Sequence, residues 1–129
     1  MYFGLSEEQS FFKDNVKKYL EDNASLDQIR KIASGDESNI RKEIHQGFLN
    51  LGVNGLLIPE EFGGLGLDLL FAAVVSESLG ACLGPVPYVA PYVMAPTAIM
   101  AAGSPTQKEN YLTKIASNEI LVGVGFSEF

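Results

Sequence analysis

The 129-residue sequence lacks tryptophan and has one cysteine and one histidine. Because Cys82 has no second cysteine to pair with, a disulfide within the chain is excluded. His45 has no other histidine and no cysteine near it, so no metal site is predicted and a surface or capping role is favoured. Basic residues are also few, since nine Lys and Arg stand against 16 Asp and Glu and give a net charge of −7.

The acidic balance disfavours two classes of partner, nucleic acids and anionic membrane surfaces, because both carry negative charge themselves. The first residues show no basic stretch followed by the apolar core that a secretory signal needs. Since the chain also has a single cysteine, the expected location is the reducing cytoplasm.

Charge is absent from residues 78–107, a stretch long enough to cross a bilayer. Prolines and glycines interrupt it and no cluster of Lys or Arg flanks it, so a membrane helix is not predicted. We expect protein rather than lipid to cover this stretch. Its prolines are Pro85, Pro87, Pro91, Pro96 and Pro105.

The sequence does contain repeated helix-start signals, together with 47% apolar residues, enough for the core of one domain. Serine followed three residues later by glutamine forms a capping box at residues 6–9, 25–28 and 104–107. Apolar residues recur at helical spacing after the first box and again between residues 40 and 51. The predicted fold class is all-α, an up-and-down bundle of about five or six helices.

Two further helices are expected in the middle of the chain. Residues 69–79 are apolar on every side of a helical wheel, which predicts a central, buried helix. Glu77 is its one charge, and we favour a buried carboxylate that accepts backbone donors from a loop over a catalytic acid or base. The next helix is expected over residues 91–102, kinked or interrupted at Pro96.

Residues 58–68 (IPEEFGGLGLD) cannot form regular structure, because Pro59 lacks an amide donor and three glycines follow. Asp68 is placed to cap the next helix, and an extended segment is suggested at residues 56–58. The loop could instead cradle a phosphate at a helix N-terminus, but Asp68 would repel an anion and no Lys or Arg lies nearby. A tight structural connector is therefore favoured.

Residues 120–126 are rich in β-branched, aromatic and glycine residues, which predicts a strand. No second strand is predicted elsewhere, so this strand would be an orphan without a partner in the chain. We therefore expect its partners to lie in missing material.

The ordered set of motifs resembles the amino-terminal helical domain of acyl-CoA dehydrogenases. Each short motif is common by itself, but the set follows the family's order along essentially the whole chain. Besides residues 58–68, the matching stretches are 5–9 (LSEEQ), 51–55 (LGVNG), 76–80 (SESLG), 102–104 (AGS), 107–108 (QK) and 111–112 (YL).

The resemblance implies a helical domain at residues 1–117 and, at residues 118–129, the first strand of a middle β-domain that is otherwise missing. In the family, the end of this strand contacts the flavin ring of FAD through its backbone and a hydroxyl group. Phe129 departs from the family pattern, in which proline is usual. The implied cofactor-binding positions are Val124, Gly125, Phe126 and Ser127.

The activity implied by the resemblance is α,β-dehydrogenation of acyl-CoA thioesters, in which a carboxylate takes the α-proton and FAD receives the β-hydride. The family places that carboxylate and most flavin contacts in later domains, so no catalytic residue is expected in this chain. The chain would be an N-terminal domain or fragment that forms one wall of the acyl and flavin pocket. We expect it to be inactive alone and not to retain FAD.

Tyr88, Val89 and Tyr92 could line a cavity for the acyl group, with core packing as the alternative.

Two other functions of the chain remain open. The chain could be a short subunit that completes its site with a separate polypeptide, or a helical interaction module that binds no flavin and uses residues 78–107 to hold a partner. We expect the isolated chain to self-associate through surface that the missing domains would cover.

Overall fold

The computed structural model describes residues 4–35, 38–125 and 127. Within these residues the chain forms six α-helices, which confirms the predicted all-α class. A short 3-10 helix, Glu60–Phe62, and a π-helical turn, Val89–Met94, lie between them. The α-helices are α1 (Glu7–Asn23), α2 (Leu26–Ser34), α3 (Ser38–Leu49), α4 (Leu69–Ala81), α5 (Ala95–Ala102) and α6 (Pro105–Ala116).

The predicted capping boxes are present at the starts of α1, α2 and α6. At α1 the Gln9 amide donates to the Ser6 hydroxyl oxygen at 3.1 Å, and Gln9 Oε1 accepts from the Ser6 amide at 2.9 Å. Each box satisfies backbone donors that the start of a helix leaves without an intrahelical partner. These three helix starts are therefore specified by local sequence.

The helices fall into two compact units, which are described separately. The first contains residues 1–51 and 73–86. In it α1 and α2 each pack on α3. The Tyr19 hydroxyl donates to the Ile44 carbonyl at 2.9 Å and so joins α1 to α3. The buried side chains of this first unit include Val16, Leu20, Ile44, Phe48, Val75 and Leu79.

The second unit contains residues 52–72 and 87–129, and thus includes the first turn of α4. In this unit α5 packs on the π-helical turn and on α6, and α6 also contacts the 3-10 helix. The fully buried side chains include Val53, Leu56, Ile58, Tyr92, Pro96, Leu112 and Ile115.

The prediction that α4 is buried on every side is wrong, because exposed residues run along one side of the helix to its end. Phe71, Val74 and Val75 are buried, but Leu69 and Leu70 are exposed. A small domain has too little surrounding protein to cover every side of a helix, so an apolar pattern by itself does not ensure burial. The exposed leucines give the second unit an apolar surface.

The expectation of a buried Glu77 is also wrong. Its side chain is exposed, and its Oε2 accepts from Lys13 Nζ at 2.8 Å. Because water and Lys13 stabilise the carboxylate, it needs no backbone donors from a loop.

We expect the substitution Glu77→Gln to change the free energy of unfolding by less than about 1 kcal/mol, because exposed ion pairs are screened by water and salt. Urea unfolding at low and high ionic strength measures this change. A loss well above that value would contradict the exposed position of the carboxylate.

Residues 56–58 do not form the extended segment that the sequence suggests. They lie in consecutive turns, in which the Gly55 amide donates to the Gly52 carbonyl and the Ile58 amide to the Gly55 carbonyl, both at 3.2 Å. The side chains of Leu56 and Ile58 are nevertheless fully buried. The apolar run here reflects burial in a turn, which hydrophobicity alone does not distinguish from a buried strand.

The helix predicted over residues 91–102 begins later, because α5 starts at Ala95. Pro96 has no amide proton to donate to the carbonyl four residues earlier, so a regular α-helix does not continue through it from the preceding turn. Before it, the Ala95 amide donates to the Ala90 carbonyl, five residues back, in the π-helical pattern. The predicted helix thus changes type just before Pro96, from the π-helical turn that contains Pro91 to α5, and the prediction of an α-helix from Pro91 is wrong.

The described part of the predicted strand, residues 120–125, is not assigned as a strand. A strand is defined by hydrogen bonds to a neighbouring strand, and the described residues offer no such neighbour. Phe126 and residues 128–129 lie outside the described residues. The boundary at residues 117 and 118 therefore stays a prediction.

Candidate functional site

The glycine-containing loop, residues 58–68, is a closely bonded connector in the second unit. It contains the 3-10 helix Glu60–Phe62, so the prediction that it forms no regular structure is wrong for these three residues. Three of its amides donate back to the preceding turns: Leu65 to the Gly55 carbonyl at 2.9 Å, and Gly66 and Leu67 to the Ile58 and Leu56 carbonyls at 2.8 Å. These donors are used within the protein, which supports the structural role over a phosphate cradle.

The loop ends at a side-chain cap and needs glycine at one crowded position. Asp68 Oδ1 accepts from the amides of Leu70 at 3.0 Å and Phe71 at 3.3 Å, as the sequence predicts for the cap of α4. A Cβ atom on Gly64 would overlap the Ile58 carbonyl and lie 2.6 Å from Ile58 Cβ. Gly64 therefore allows the loop to lie against the backbone of the preceding turn.

Asn54 is a positioning residue that the sequence did not single out. Its side chain is 6% exposed, and its Nδ2 donates to the carbonyls of Ile115 at 3.1 Å and Ala116 at 2.7 Å. These are among the last carbonyls of α6, which lack intrahelical donors. The sequence signal for this role was a polar residue between the apolar residues Val53 and Leu56. The signal does not identify the partner, because Ala116 lies 62 residues away.

The chain leaves α6 through an exit segment, defined here as residues 117–125 and 127. Its first part is fixed, because the amides of Glu119 and Ile120 both donate to the Lys114 carbonyl, at 2.9 and 3.4 Å. Among the described residues, no backbone hydrogen bond uses the amides of residues 121–125. A Cβ on Gly123 or Gly125 would meet open space.

The predicted cofactor-binding residues lie at the end of this exit segment. Val124 is half-buried, while Gly125 and Ser127 are exposed, and Phe126 lies outside the described residues. Exposed amides, carbonyls and a hydroxyl group fit what a flavin ring or a neighbouring strand would bind.

The three predicted acyl-binding residues lie in different environments. Tyr88 and Tyr92 are 4% and 1% exposed, with ring centroids 6.3 Å apart and planes tilted by 48°. Burial raises the pKa of both phenols, so both stay neutral near pH 7. Val89 is 48% exposed. In the described chain the tyrosines belong to the core, and Val89 is the one of the three that a ligand can reach.

A separate apolar groove lies elsewhere in the second unit and has a volume of about 420 Å³. It is formed by residues from the turn before the glycine loop, the end of that loop, the start of α4, and α5. Because these segments are far apart in sequence, helical periodicity does not reveal the groove. Its lining residues are Leu57, Leu67, Leu69, Thr97, Met100 and Ala101.

His45 is half-buried, and burial lowers its pKa. Within the described residues, no group of three or more His, Cys, Asp or Glu side chains is arranged to hold a metal ion. The described helices also include none with both the length and the apolar character needed to span a bilayer.

The described residues thus define an all-helical domain with a crowded glycine loop, an exit segment and an apolar groove. Residues 6–119 match the family model described as "Acyl-CoA dehydrogenase, N-terminal domain". The chain is 33% identical over 127 residues to mitochondrial isovaleryl-CoA dehydrogenase of Bos taurus, covering 97% of this chain and 30% of that protein. The chain belongs to the acyl-CoA dehydrogenase family and corresponds to its N-terminal domain.

Other relatives also match nearly all of this chain with only part of their own length. Over 129 residues the chain is 33% identical to (2S)-methylsuccinyl-CoA dehydrogenase of Cereibacter sphaeroides, covering 97% of this chain and 23% of that protein. The solved Tcur3481-Tcur3483 steroid ACAD is similar with a TM-score of 0.80 at 25% identity, over 95% of this chain and 33% of that one. Butyryl-CoA dehydrogenase of Megasphaera elsdenii, at 22% identity and a TM-score of 0.74, shares the fold over 94% of this chain and 32% of its own. The chain therefore spans about a third or less of these relatives.

Proposed function

We propose that this domain forms one wall of the acyl and flavin pocket in an FAD-dependent acyl-CoA dehydrogenase. FAD is the cofactor of this family in general, and when bound it accepts the hydride that leaves the β-carbon of an acyl-CoA thioester. The observation that carries the proposal is the exit segment, whose amides at residues 121–125 take part in no backbone bond among the described residues.

Each part of this wall has a separate task. Val124, Gly125, Phe126 and Ser127 would face the flavin with backbone groups and the Ser127 hydroxyl. Val89 would contact the acyl group, while Tyr88 and Tyr92 hold the turn that presents it. The helices would exclude water from the reacting atoms, which suppresses side reactions.

The base that takes the α-proton is proposed to lie outside this chain. In the isolated chain no described carboxylate is buried, so none is held in the water-shielded site in which a base for this reaction works. This distribution supports the proposal that the chain is inactive alone.

Titration of the isolated chain with FAD and with an acyl-CoA tests the proposal directly. We expect the isolated chain neither to bind FAD stoichiometrically nor to oxidise the thioester. After a flavin-carrying polypeptide is added, we expect the mixture to contain bound flavin and to oxidise the thioester. A tagged chain is used to recover that polypeptide, and mass spectrometry identifies it. If the chain purifies with a partner that has neither flavin nor acyl-CoA dehydrogenase sequence, the helical interaction module is supported instead.

In the assembled enzyme we expect Ser127→Ala to weaken FAD binding about tenfold, because it removes one hydrogen-bonding group toward the flavin. Ser127→Thr keeps the hydroxyl and should bind FAD as the native chain does. Both variants are compared by flavin fluorescence during titration. Ser127 is exposed, so neither variant should alter the unfolding of the chain. Equal FAD affinity in the alanine variant would rule out a flavin contact by this hydroxyl.

A further inference from the structure

Asn54 and Gly55 form an Asn–Gly pair, and no other asparagine in the sequence precedes a glycine. In such a pair the amide nitrogen of the glycine can attack the side-chain carbonyl carbon of the asparagine, because glycine has no Cβ atom to hinder the approach. Asparagine is among the thermolabile residues of proteins. The turn before the glycine loop therefore contains a pair of residues that can modify itself.

This reaction, deamidation, needs water and no other co-reactant. A bond forms between the Gly55 nitrogen and Asn54 Cγ, the bond from Cγ to Nδ2 breaks, and ammonia leaves with the proton of the Gly55 amide. Water then opens the resulting cyclic imide at either of its carbonyls and gives aspartate or isoaspartate at position 54. Either product has lost the amide donor and gained a carboxylate, which can only accept hydrogen bonds.

Both reacting groups are buried and hydrogen-bonded in the folded chain. Asn54 is 6% exposed, and its Nδ2, the atom that would leave, donates to the carbonyls of Ile115 and Ala116 at the end of α6. The Gly55 amide must give up its proton before the nitrogen attacks, and it donates to the Gly52 carbonyl at 3.2 Å. Attack therefore requires water to enter the turn and the end of α6 to move away from Asn54.

Packing accounts for the presence of glycine at position 55. A Cβ atom there would lie 3.3 Å from Gly64 Cα, which belongs to the backbone of the glycine loop. The Leu65 amide of that loop also donates to the Gly55 carbonyl at 2.9 Å. Asn54 and Gly55 thus each have a structural role, and the labile pair results because the two residues are adjacent.

We propose that Asn54–Gly55 is a deamidation site that the end of α6 protects, and that its reaction makes an opening of this contact irreversible. After the reaction, a carboxylate at position 54 would face carbonyl oxygens, and acceptors repel each other. The Asn118 amide still donates to the Ile115 carbonyl at 3.1 Å, so the loss falls mainly on Ala116. This proposal goes beyond the function proposed above, because the reaction needs neither FAD nor a partner.

Incubation of the full chain, folded or unfolded in guanidinium chloride, tests the site. Peptide mapping by mass spectrometry measures conversion at position 54, with Asn110, which precedes Tyr111, as the internal reference. We expect conversion at position 54 to be at least about a hundredfold slower in the folded chain, because it waits for the turn to open. Absence of conversion at position 54 in the unfolded chain, or a rate no higher than at Asn110, would overturn the modification site. Equal rates in the folded and unfolded chain would overturn its protection.

A matched pair of mild substitutions tests the role of α6. Ile115 in α6 and Ile44 in α3 are 0% and 3% exposed and lie in different units. Removal of one methyl group should leave each chain folded and loosen the packing around it. We expect Ile115→Val to speed conversion in the folded chain about threefold or more, and Ile44→Val to leave it unchanged. Equal acceleration by both variants, or none by Ile115→Val, would show that protection does not depend on α6.

Asn54→Asp reproduces one product of the reaction, and Asn110→Asp adds the same charge at an exposed position of α6. We expect amide hydrogen exchange at residues 117–120 to be about tenfold faster in Asn54→Asp, because the end of α6 has lost a donor and faces a carboxylate. Exchange in Asn110→Asp should match the native chain. Native exchange in Asn54→Asp would overturn the inference that deamidation releases the end of α6.

Discussion

Gly64→Ala is expected to lower the free energy of unfolding by about 3 kcal/mol or more, because it overpacks a crowded site against backbone. The added methyl group would overlap the Ile58 carbonyl oxygen and lie 2.5 Å from its carbon. Backbone atoms cannot rotate away as the end of a flexible side chain can. The Gly66 amide also donates to that carbonyl at 2.8 Å, so a shift would weaken a hydrogen bond as well. Urea unfolding followed by circular dichroism measures the loss.

Gly80→Ala is the matched control for this prediction. Gly80 lies within α4, and a Cβ atom there would meet nothing within 4 Å. Alanine should stabilise the helix by roughly 0.5–1 kcal/mol, because glycine loses more backbone entropy on folding. If both alanine variants unfolded at the same urea concentration, the inference that Gly64 lies at a crowded position would be wrong.

Asn54→Leu is expected to lower the free energy of unfolding by about 2 kcal/mol, because it leaves the part-buried Ala116 carbonyl without its donor, while the Ile115 carbonyl keeps the Asn118 amide at 3.1 Å. Leucine has a similar size, so the loss reports the two hydrogen bonds to Ile115 and Ala116 rather than a cavity. Hydrogen exchange should also speed up at residues 117–120, where the exit segment begins.

Asn110→Ala provides the comparison for that variant, because Asn110 is exposed on the same helix. Its unfolding free energy should stay within about 0.5 kcal/mol of the native value. Should Asn54→Leu behave in the same way, the buried amide would have no positioning role.

Features that depend on nearby residues could be predicted from the sequence. The capping boxes at Ser6, Ser25 and Ser104 and the cap at Asp68 join residues two or three positions apart, so the pattern contains the whole interaction. The all-α class follows from the same signals together with apolar periodicity.

Features that depend on distant residues could not be predicted. Asn54 bonds to the end of α6, and the apolar groove joins Leu57, Leu69 and Met100, so neither leaves a local pattern. The exposure of Glu77 depends on how much protein surrounds α4 and on the position of Lys13 in α1. The flavin-facing role of Ser127 comes from the family resemblance and stays a prediction.

The π-helical turn at Val89–Met94 has a consequence for how this domain can vary in length. Such a turn holds one residue more than an α-helical turn, as the bond from the Ala95 amide to the Ala90 carbonyl shows. A single-residue deletion there can be absorbed by a switch from the π-helical to the α-helical turn, so that α5 and α6 keep their faces toward the core. A one-residue deletion is therefore expected to disturb the domain less in this turn than within α5 or α6.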